Sequence, residues 1–121
     1  MAERYSSFTP GGTMWLLQRV TAAFLITMLA FHFFLLHFVQ HAADVTFAGT
    51  QARMENWGYT LSMILFLWAA TFHGVNGVYN AFVNQGLSGT PKKVVMAVLT
   101  LASLALVVQG TIVALVMGGH I

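Results

Sequence analysis

Three long apolar stretches separated by short polar segments dominate the chain. They cover residues 14–38, 57–84 and 94–117, and each is bounded by polar residues, glycine or proline. A helix of about 20 residues, rising about 1.5 Å per residue, crosses a bilayer. The first stretch is too long for a signal peptide and lacks a small-residue cleavage site. The pattern therefore predicts three retained transmembrane helices in one membrane anchor domain, 14–121, behind an N-terminal segment, 1–13.

The composition narrows the class of protein. Hydrophobic residues make up 58% of the chain and charged residues only 7%, whereas soluble domains carry about 25% charged residues. The net charge is +2, with no basic run that would favour nucleic acid as a partner. The absence of cysteine excludes a disulfide framework and a thiolate metal site in this chain. An all-α integral membrane protein is the predicted fold class.

The few basic residues indicate an orientation. Arg4 and Arg19 flank the start of the first predicted helix, Lys92 and Lys93 lie in the second loop, and the first loop has Arg53 alone. Cytoplasmic loops carry an excess of Lys and Arg. We therefore expect the N-terminal segment and the second loop to be cytoplasmic and the chain to lie in the cytoplasmic membrane.

Three histidines, His32, His37 and His73, lie within the predicted spans. Ionisable residues at that depth are costly and usually functional. A neutral imidazole can bind haem iron while its other ring nitrogen donates to a backbone carbonyl. An interhelical hydrogen bond or an interfacial side chain explains a lone histidine equally well. His32 and His37 are five residues apart, about 140° around a helix, so they cannot face the same partner.

Glycines beside His73 strengthen its candidacy. Gly74 is adjacent to His73 and Gly77 lies one turn along the helix, on the same face. A flat macrocycle needs such a bare backbone patch beside its ligand. The same glycines would also allow another helix to approach closely.

Several segments, taken in order, carry a resemblance to a known family. They are Leu17-Gln18-Arg19-Val20-Thr21-Ala22, His32, Phe72-His73-Gly74-Val75-Asn76-Gly77, and the turn from Gly86 to Pro91. Together they resemble the second half of the di-haem cytochrome b anchor of succinate:quinone oxidoreductases, the succinate dehydrogenases. This chain corresponds to that half on its own. It is therefore similar to the small cytochrome b chain in anchors that archaea and some bacteria build from two chains.

The resemblance implies roles for individual residues. His73 matches the axial ligand of the proximal haem b, near the iron–sulfur subunit, and His32 matches a ligand of the distal haem b. Each iron would take its other ligand from a second anchor subunit. Gly77 would lie at the haem. Arg19 would pair with a haem propionate or the quinone, unless it extends to lipid phosphates.

The resemblance also implies the function. The chain would pass electrons from the iron–sulfur subunit to membrane quinone, while succinate chemistry would belong to a flavoprotein subunit. Single-haem relatives place an Asp-Tyr pair at the quinone where this chain has Asn84 and Gln85. Asn84 is therefore a quinone candidate, although a solvated helix end is the favoured interpretation. The alternatives are the anchor of a fumarate reductase and a helical scaffold without cofactor.

Overall fold

A computed structural model describes residues 10–121, and these residues form helices joined by short turns. Residues 1–9, with Arg4 and most of the predicted segment 1–13, lie outside the described residues. The α-helices are α1 (Pro10–Phe34), α2 (Phe47–Met54), α3 (Trp57–Asn84) and α4 (Gly89–Met117). A π-helical segment, Leu35–Val39, extends α1, and a 3-10 turn, Ala42–Asp44, precedes α2.

Three of these helices are long and apolar enough to cross a membrane. They cover Gly11–Val39, Trp57–Asn84 and Gly89–Met117. Large apolar side chains point outward along them; Ile26 is 70% exposed and Leu101 68%. Such surfaces suit lipid or a partner helix and not water. The chain is an integral membrane protein, and the predicted all-α class with three spans is confirmed.

The spans define two ends of the molecule. The N-terminal face holds the start of α1, the end of α3 and the start of α4, while the opposite face holds residues 40–56 and the C-terminus. The third span begins at Gly89, before the predicted position 94. Its start includes Pro91, because a proline in the first helical turn removes no helical hydrogen bond. An apolar stretch marks the embedded part of a helix and leaves its polar first turn unmarked.

The first loop contains α2, which the apolar pattern did not predict. Its N-cap is Thr46, whose Oγ1 accepts a hydrogen bond from the Gly49 backbone N–H at 3.0 Å. This is the usual way in which a threonine satisfies a free donor at a helix start. A helix of eight residues is too short for a hydrophobic period to stand out, so the threonine was its main signal.

The C-terminus closes the opposite face by packing on the junction of α2 and α3. His120 Nε2 lies 2.9 Å from the Met54 carbonyl oxygen, and the His120 ring stacks on Trp57 with centroids 3.7 Å apart. A Cβ on Gly118 would clash with the same carbonyl. Only glycine therefore allows α4 to end here, and His120 is engaged in holding the fold.

α3 is the central helix and packs against both α1 and α4. Trp68 Nε1–H donates to Thr111 Oγ1 at 3.0 Å across the α3–α4 contact. A Cβ on Gly110 would lie 2.5 Å from Leu67 Cδ2, so this glycine allows a close approach of the two helices. The arrangement leaves the middle of α3 facing α1 on its other side, where His73 lies.

Candidate functional site at the intramembrane histidines

His73 is held by α1 through one ring nitrogen. Its Nδ1 lies 3.2 Å from the Gln18 carbonyl oxygen and 3.2 Å from Thr21 Oγ1. A carbonyl oxygen can only accept, so Nδ1 carries the proton. Thr21 gives its own proton to the Leu17 carbonyl at 2.7 Å and is free to accept from the ring. In the neutral imidazole Nε2 then carries the lone pair, and no hydrogen bond engages Nε2 within residues 10–121.

Gln18 fixes the same segment of α3 with its side chain. Gln18 Nε2 donates to the His73 carbonyl oxygen at 3.1 Å, and Gln18 Oε1 accepts from Asn76 Nδ2 at 2.9 Å. Gln18 thus makes three hydrogen bonds to α3, two through its side chain and one through its carbonyl oxygen to the imidazole of His73. We call Gln18, Thr21 and Asn76 the histidine clamp. It sets the depth and rotation of His73 relative to α1.

The sequence prediction gave Gln18 no role of its own and named no partner for Asn76. The signal was available, because each is an amide inside an apolar span and a buried amide needs a hydrogen-bond partner. Pairing them required knowing that α1 and α3 are neighbours in the right register. That information is tertiary.

The two glycines next to His73 differ in their surroundings. A Cβ on Gly77 would lie 3.5 Å from Gln18 Nε2, so Gly77 faces α1. A Cβ on Gly74 would meet nothing within 4 Å, and Gly74 is exposed. The open backbone patch beside His73 is thus at Gly74, whereas a Cβ on Gly77 would lie at ordinary van der Waals distance from α1.

His32 lies far from His73 along the membrane normal. The clamp residues Gln18 and Thr21 mark the depth of His73 on α1, and His32 follows them by 14 and 11 residues. At about 1.5 Å per residue the separation is about 17 to 21 Å. His32 and His73 therefore cannot bind one metal ion together.

His32 borders a cavity toward the opposite face. The side chain is half-buried and lines a space of about 380 Å³ together with Arg53, Tyr59 and Met63. A smaller space of about 40 Å³, bordered by Met28 and Phe66, also touches it. No hydrogen bond fixes the His32 ring within the described part of the chain.

His37 lies in the π-helical segment and is exposed. Its Nδ1 is 3.1 Å from the Phe33 carbonyl oxygen, and its ring stacks on Phe33 with centroids 4.0 Å apart. The π-helical turn is closed by the bond from Gln40 N–H to the Leu35 carbonyl at 2.8 Å. His37 is within a turn of Val39, where the apolar span ends.

The remaining two candidates, Arg19 and Asn84, lie toward the N-terminal face. Arg19 is exposed, and its Cζ lies 4.0 Å from the centroid of the Trp15 ring, a cation–π contact along α1. Because Arg19 follows Gln18, its Cα lies near the depth of His73. Asn84 is the exposed last residue of α3. Neither side chain reaches the other site residues through a hydrogen bond within residues 10–121.

A cavity of about 440 Å³ opens beside the histidine clamp. Apolar side chains dominate its lining, and Asn76 and Tyr79 contribute polar atoms. Met14 borders it from α1, whereas Met96 and Leu99 border it from α4. The cavity arises from three helices meeting, so no local pattern in the sequence could have indicated it.

The fold and the site define a three-span membrane protein in which hydrogen bonds to α1 orient the imidazole of His73 inside a span. The family model for the succinate dehydrogenase/fumarate reductase transmembrane subunit matches residues 2–117. The chain belongs to this family, and the resemblance given by its motifs is confirmed. It is also similar to the succinate dehydrogenase hydrophobic membrane anchor subunit of Thermoplasma acidophilum, at 24% identity over 98 residues, which cover 81% of this chain and 80% of the relative.

Gln18→Leu is expected to weaken the joint between α1 and α3. The change deletes the side-chain bonds to the His73 carbonyl and to Asn76 Nδ2, at a cost of about 1 to 3 kcal/mol for the two bonds together. Gln109→Leu is the matched control, because exposed Gln109 lies on α4. Thermal unfolding of the purified variants measures the difference. Equal midpoints for the two variants would show that the clamp does not support the fold.

Proposed function

We propose that this chain is the haem-binding membrane anchor of a succinate:quinone oxidoreductase and conducts electrons from an iron–sulfur subunit to membrane quinone. The observation that supports the proposal best is the hydrogen bonding of the His73 ring. Its Nδ1 proton is committed to the Gln18 carbonyl and Thr21 Oγ1, so Nε2 is the nitrogen that can bind a metal. Metal-bound histidines are usually oriented by such a bond from the other nitrogen.

The residues around His73 suit a haem. Nε2 of His73 would bind the iron, and the exposed backbone at Gly74 would leave room for the macrocycle edge. The bond from Nδ1 to the carbonyl raises the basicity of the ligating nitrogen and prevents rotation of the ring. When bound, haem b supplies a one-electron carrier inside the bilayer. Gln18 and Asn76 would keep the ligand at a fixed depth.

His32 would serve a second haem nearer the opposite face. Its separation from His73 of about 17 to 21 Å along α1 assigns the two imidazoles to different irons. Each six-coordinate iron would then need an axial ligand from another chain. We infer a second anchor subunit, also of the cytochrome b type, that packs on the exposed apolar faces and completes both haems.

The other subunits would meet the N-terminal face. Lys92 and Lys93 lie at the start of α4, and the excess of basic residues at this face favours a cytoplasmic position for it. The iron–sulfur subunit would dock there near the His73 haem, with the flavoprotein subunit beyond it. The name of the Thermoplasma acidophilum relative, a succinate dehydrogenase hydrophobic membrane anchor subunit, supports the association of this chain with a succinate dehydrogenase at a membrane.

Quinone would bind near the same face. Arg19 carries the cation that could hold a quinone carbonyl or a haem propionate, and Asn84 offers an amide at the end of α3. The cavity of about 440 Å³ beside Asn76 and Tyr79 has the apolar lining expected for a hydrophobic tail. A fumarate reductase anchor would use the same groups with the electron flow reversed.

The intact complex, purified through a tag on this chain, provides the test. We expect reduced-minus-oxidised spectra with b-type haem bands, a pyridine haemochrome assay that counts two haems per anchor, and co-purified flavoprotein and iron–sulfur subunits. If the complex contains all its subunits but no haem, the result would support the alternative in which this chain is a scaffold without cofactor.

A further inference from the structure

Arg53 is a cation in a position that the anchor function leaves unexplained. It lies in the last turn of α2, where Nη1 donates to Gln40 Oε1 at 2.6 Å and Nη2 donates to Thr50 Oγ1 at 3.1 Å. Both partners are neutral oxygens. Nε is buried and has no hydrogen-bond partner within residues 10–121. A buried donor on a charged group is costly to leave unpaired.

The guanidinium borders the cavity that His32 also borders. The lining of this cavity of about 380 Å³ joins the cation of Arg53 and the phenol of Tyr59 to apolar side chains that include Leu36, Val45 and Met63. A ligand for such a space has an apolar body and an anionic head. Arginine matches a carboxylate with two parallel N–H donors.

The depths of the two side chains fit one ligand. Arg53 is bound to Gln40, which follows His32 by eight residues, about 12 Å along the chain. His32 thus lies inside the membrane, and the cation lies toward the opposite face. A ligand whose centre is held by His32 would present a carboxylate at its outer edge to Arg53.

We infer that the cavity bordered by α1, α2 and α3 is a carboxylate site, in which Arg53 receives a propionate of the haem that His32 binds. The inference rests on the proposed function, since it requires a haem at His32. The guanidinium neutralises the carboxylate, and Nη1 and Nη2 each keep a second N–H beyond those given to Gln40 and Thr50. The role of α2 is to carry this cation over the end of the haem pocket.

Potentiometric titration of both haems in the intact complex tests the inference. Reduction removes one positive charge from the iron, so a nearby cation favours the reduced state. In Arg53→Gln we expect the ratio of reduced to oxidised haem at the His32 site to fall at least tenfold, which is a shift of about 59 mV for one electron. The His73 haem is expected to shift by much less. Arg53→Lys keeps the charge and should restore most of the potential.

Lys93→Gln is the matched control, because Lys93 is an exposed cation at the N-terminal face and its loss should leave the His32 haem unchanged. Unchanged potentials in Arg53→Gln would overturn the inference, as would equal shifts of both haems. Loss of bound quinone or phospholipid at an unchanged potential would also overturn it and assign the cavity to that ligand.

Resonance Raman spectra of Arg53→Lys cover the case in which Arg53→Gln does not assemble. The propionate bending band of the His32 haem should move when the two-donor arginine is replaced, and an unmoved band would contradict the inference. Full haem content in His32→Ala would instead contradict the proposed function. Loss of a haem in His32→Ala, without an Arg53 effect, would refute the carboxylate site alone.

Discussion

His73→Ala is expected to abolish binding of the haem nearest the N-terminal face and to remove half of the haem of the complex. The change deletes the Nε2 that the bonds from Nδ1 to Gln18 and Thr21 leave available. Residues 69–77, which lie within about one turn of His73, include no other histidine, methionine or cysteine that could replace it. Electron transfer from the iron–sulfur subunit to quinone should fall with the haem. The pyridine haemochrome assay and a redox titration measure both effects.

Thr21→Val is the control for this variant. It removes one acceptor from His73 Nδ1 while the Gln18 carbonyl and the ring remain, so the haem should be retained. An assembled His73→Ala complex with its full haem content and an unchanged titration would refute the assignment. Loss of haem in Thr21→Val as well would contradict the expectation that the Gln18 carbonyl alone keeps the His73 ring oriented.

His32→Ala is expected to remove the other haem, whereas His37→Ala should leave both in place. His32 is half-buried beside a cavity, while His37 is exposed and bonded to the Phe33 carbonyl within a turn of the span's end. An exposed imidazole near the end of a span can be hydrated by the headgroup region. It therefore does not need a haem iron as its partner. Haem counts and the low-temperature electron paramagnetic resonance signals of the two haems separate the variants.

His37 resembles His73 in its hydrogen bonding, because its Nδ1 lies near a backbone carbonyl and its Nε2 has no hydrogen bond within residues 10–121. The bond within α1 orients the His37 ring outward from the π-helical segment. Loss of a haem in His37→Ala, with retention in His32→Ala, would assign the distal ligand to His37. It would also give the π-helical segment a role, since such segments often occur at functional sites.

The sequence was sufficient for the membrane class because that signal is local. An apolar run of about 20 residues identifies a span without knowledge of its neighbours. The start of α4 was predicted late, because Lys92 and Lys93 interrupt the apolar pattern although the helix already begins at Gly89. The helix α2 was missed for a similar reason, because Thr46 was its principal signal.

The candidate site was predictable only in part. His73 was recognisable as an ionisable residue in an apolar span. Its role as a haem ligand came from the family motif and remains a proposal. The clamp of Gln18 on His73 and Asn76 depends on the register between α1 and α3. The register between two helices is set by packing over many residues. The hydrogen-bond partner of one amide side chain therefore cannot be predicted from its own position in the sequence. The same holds for the cavity that Arg53 borders.

The most direct test of the central claim compares this chain expressed alone with the chain co-expressed with a second three-helix anchor that carries its own intramembrane histidines. Low-temperature electron paramagnetic resonance and the pyridine haemochrome assay report the haems in each preparation. Because His32 and His73 cannot share an iron, we expect little or no haem in the chain alone and two bis-histidine haems after co-expression. Stable, stoichiometric bis-histidine haem in the isolated chain would contradict the account and indicate a self-contained cytochrome.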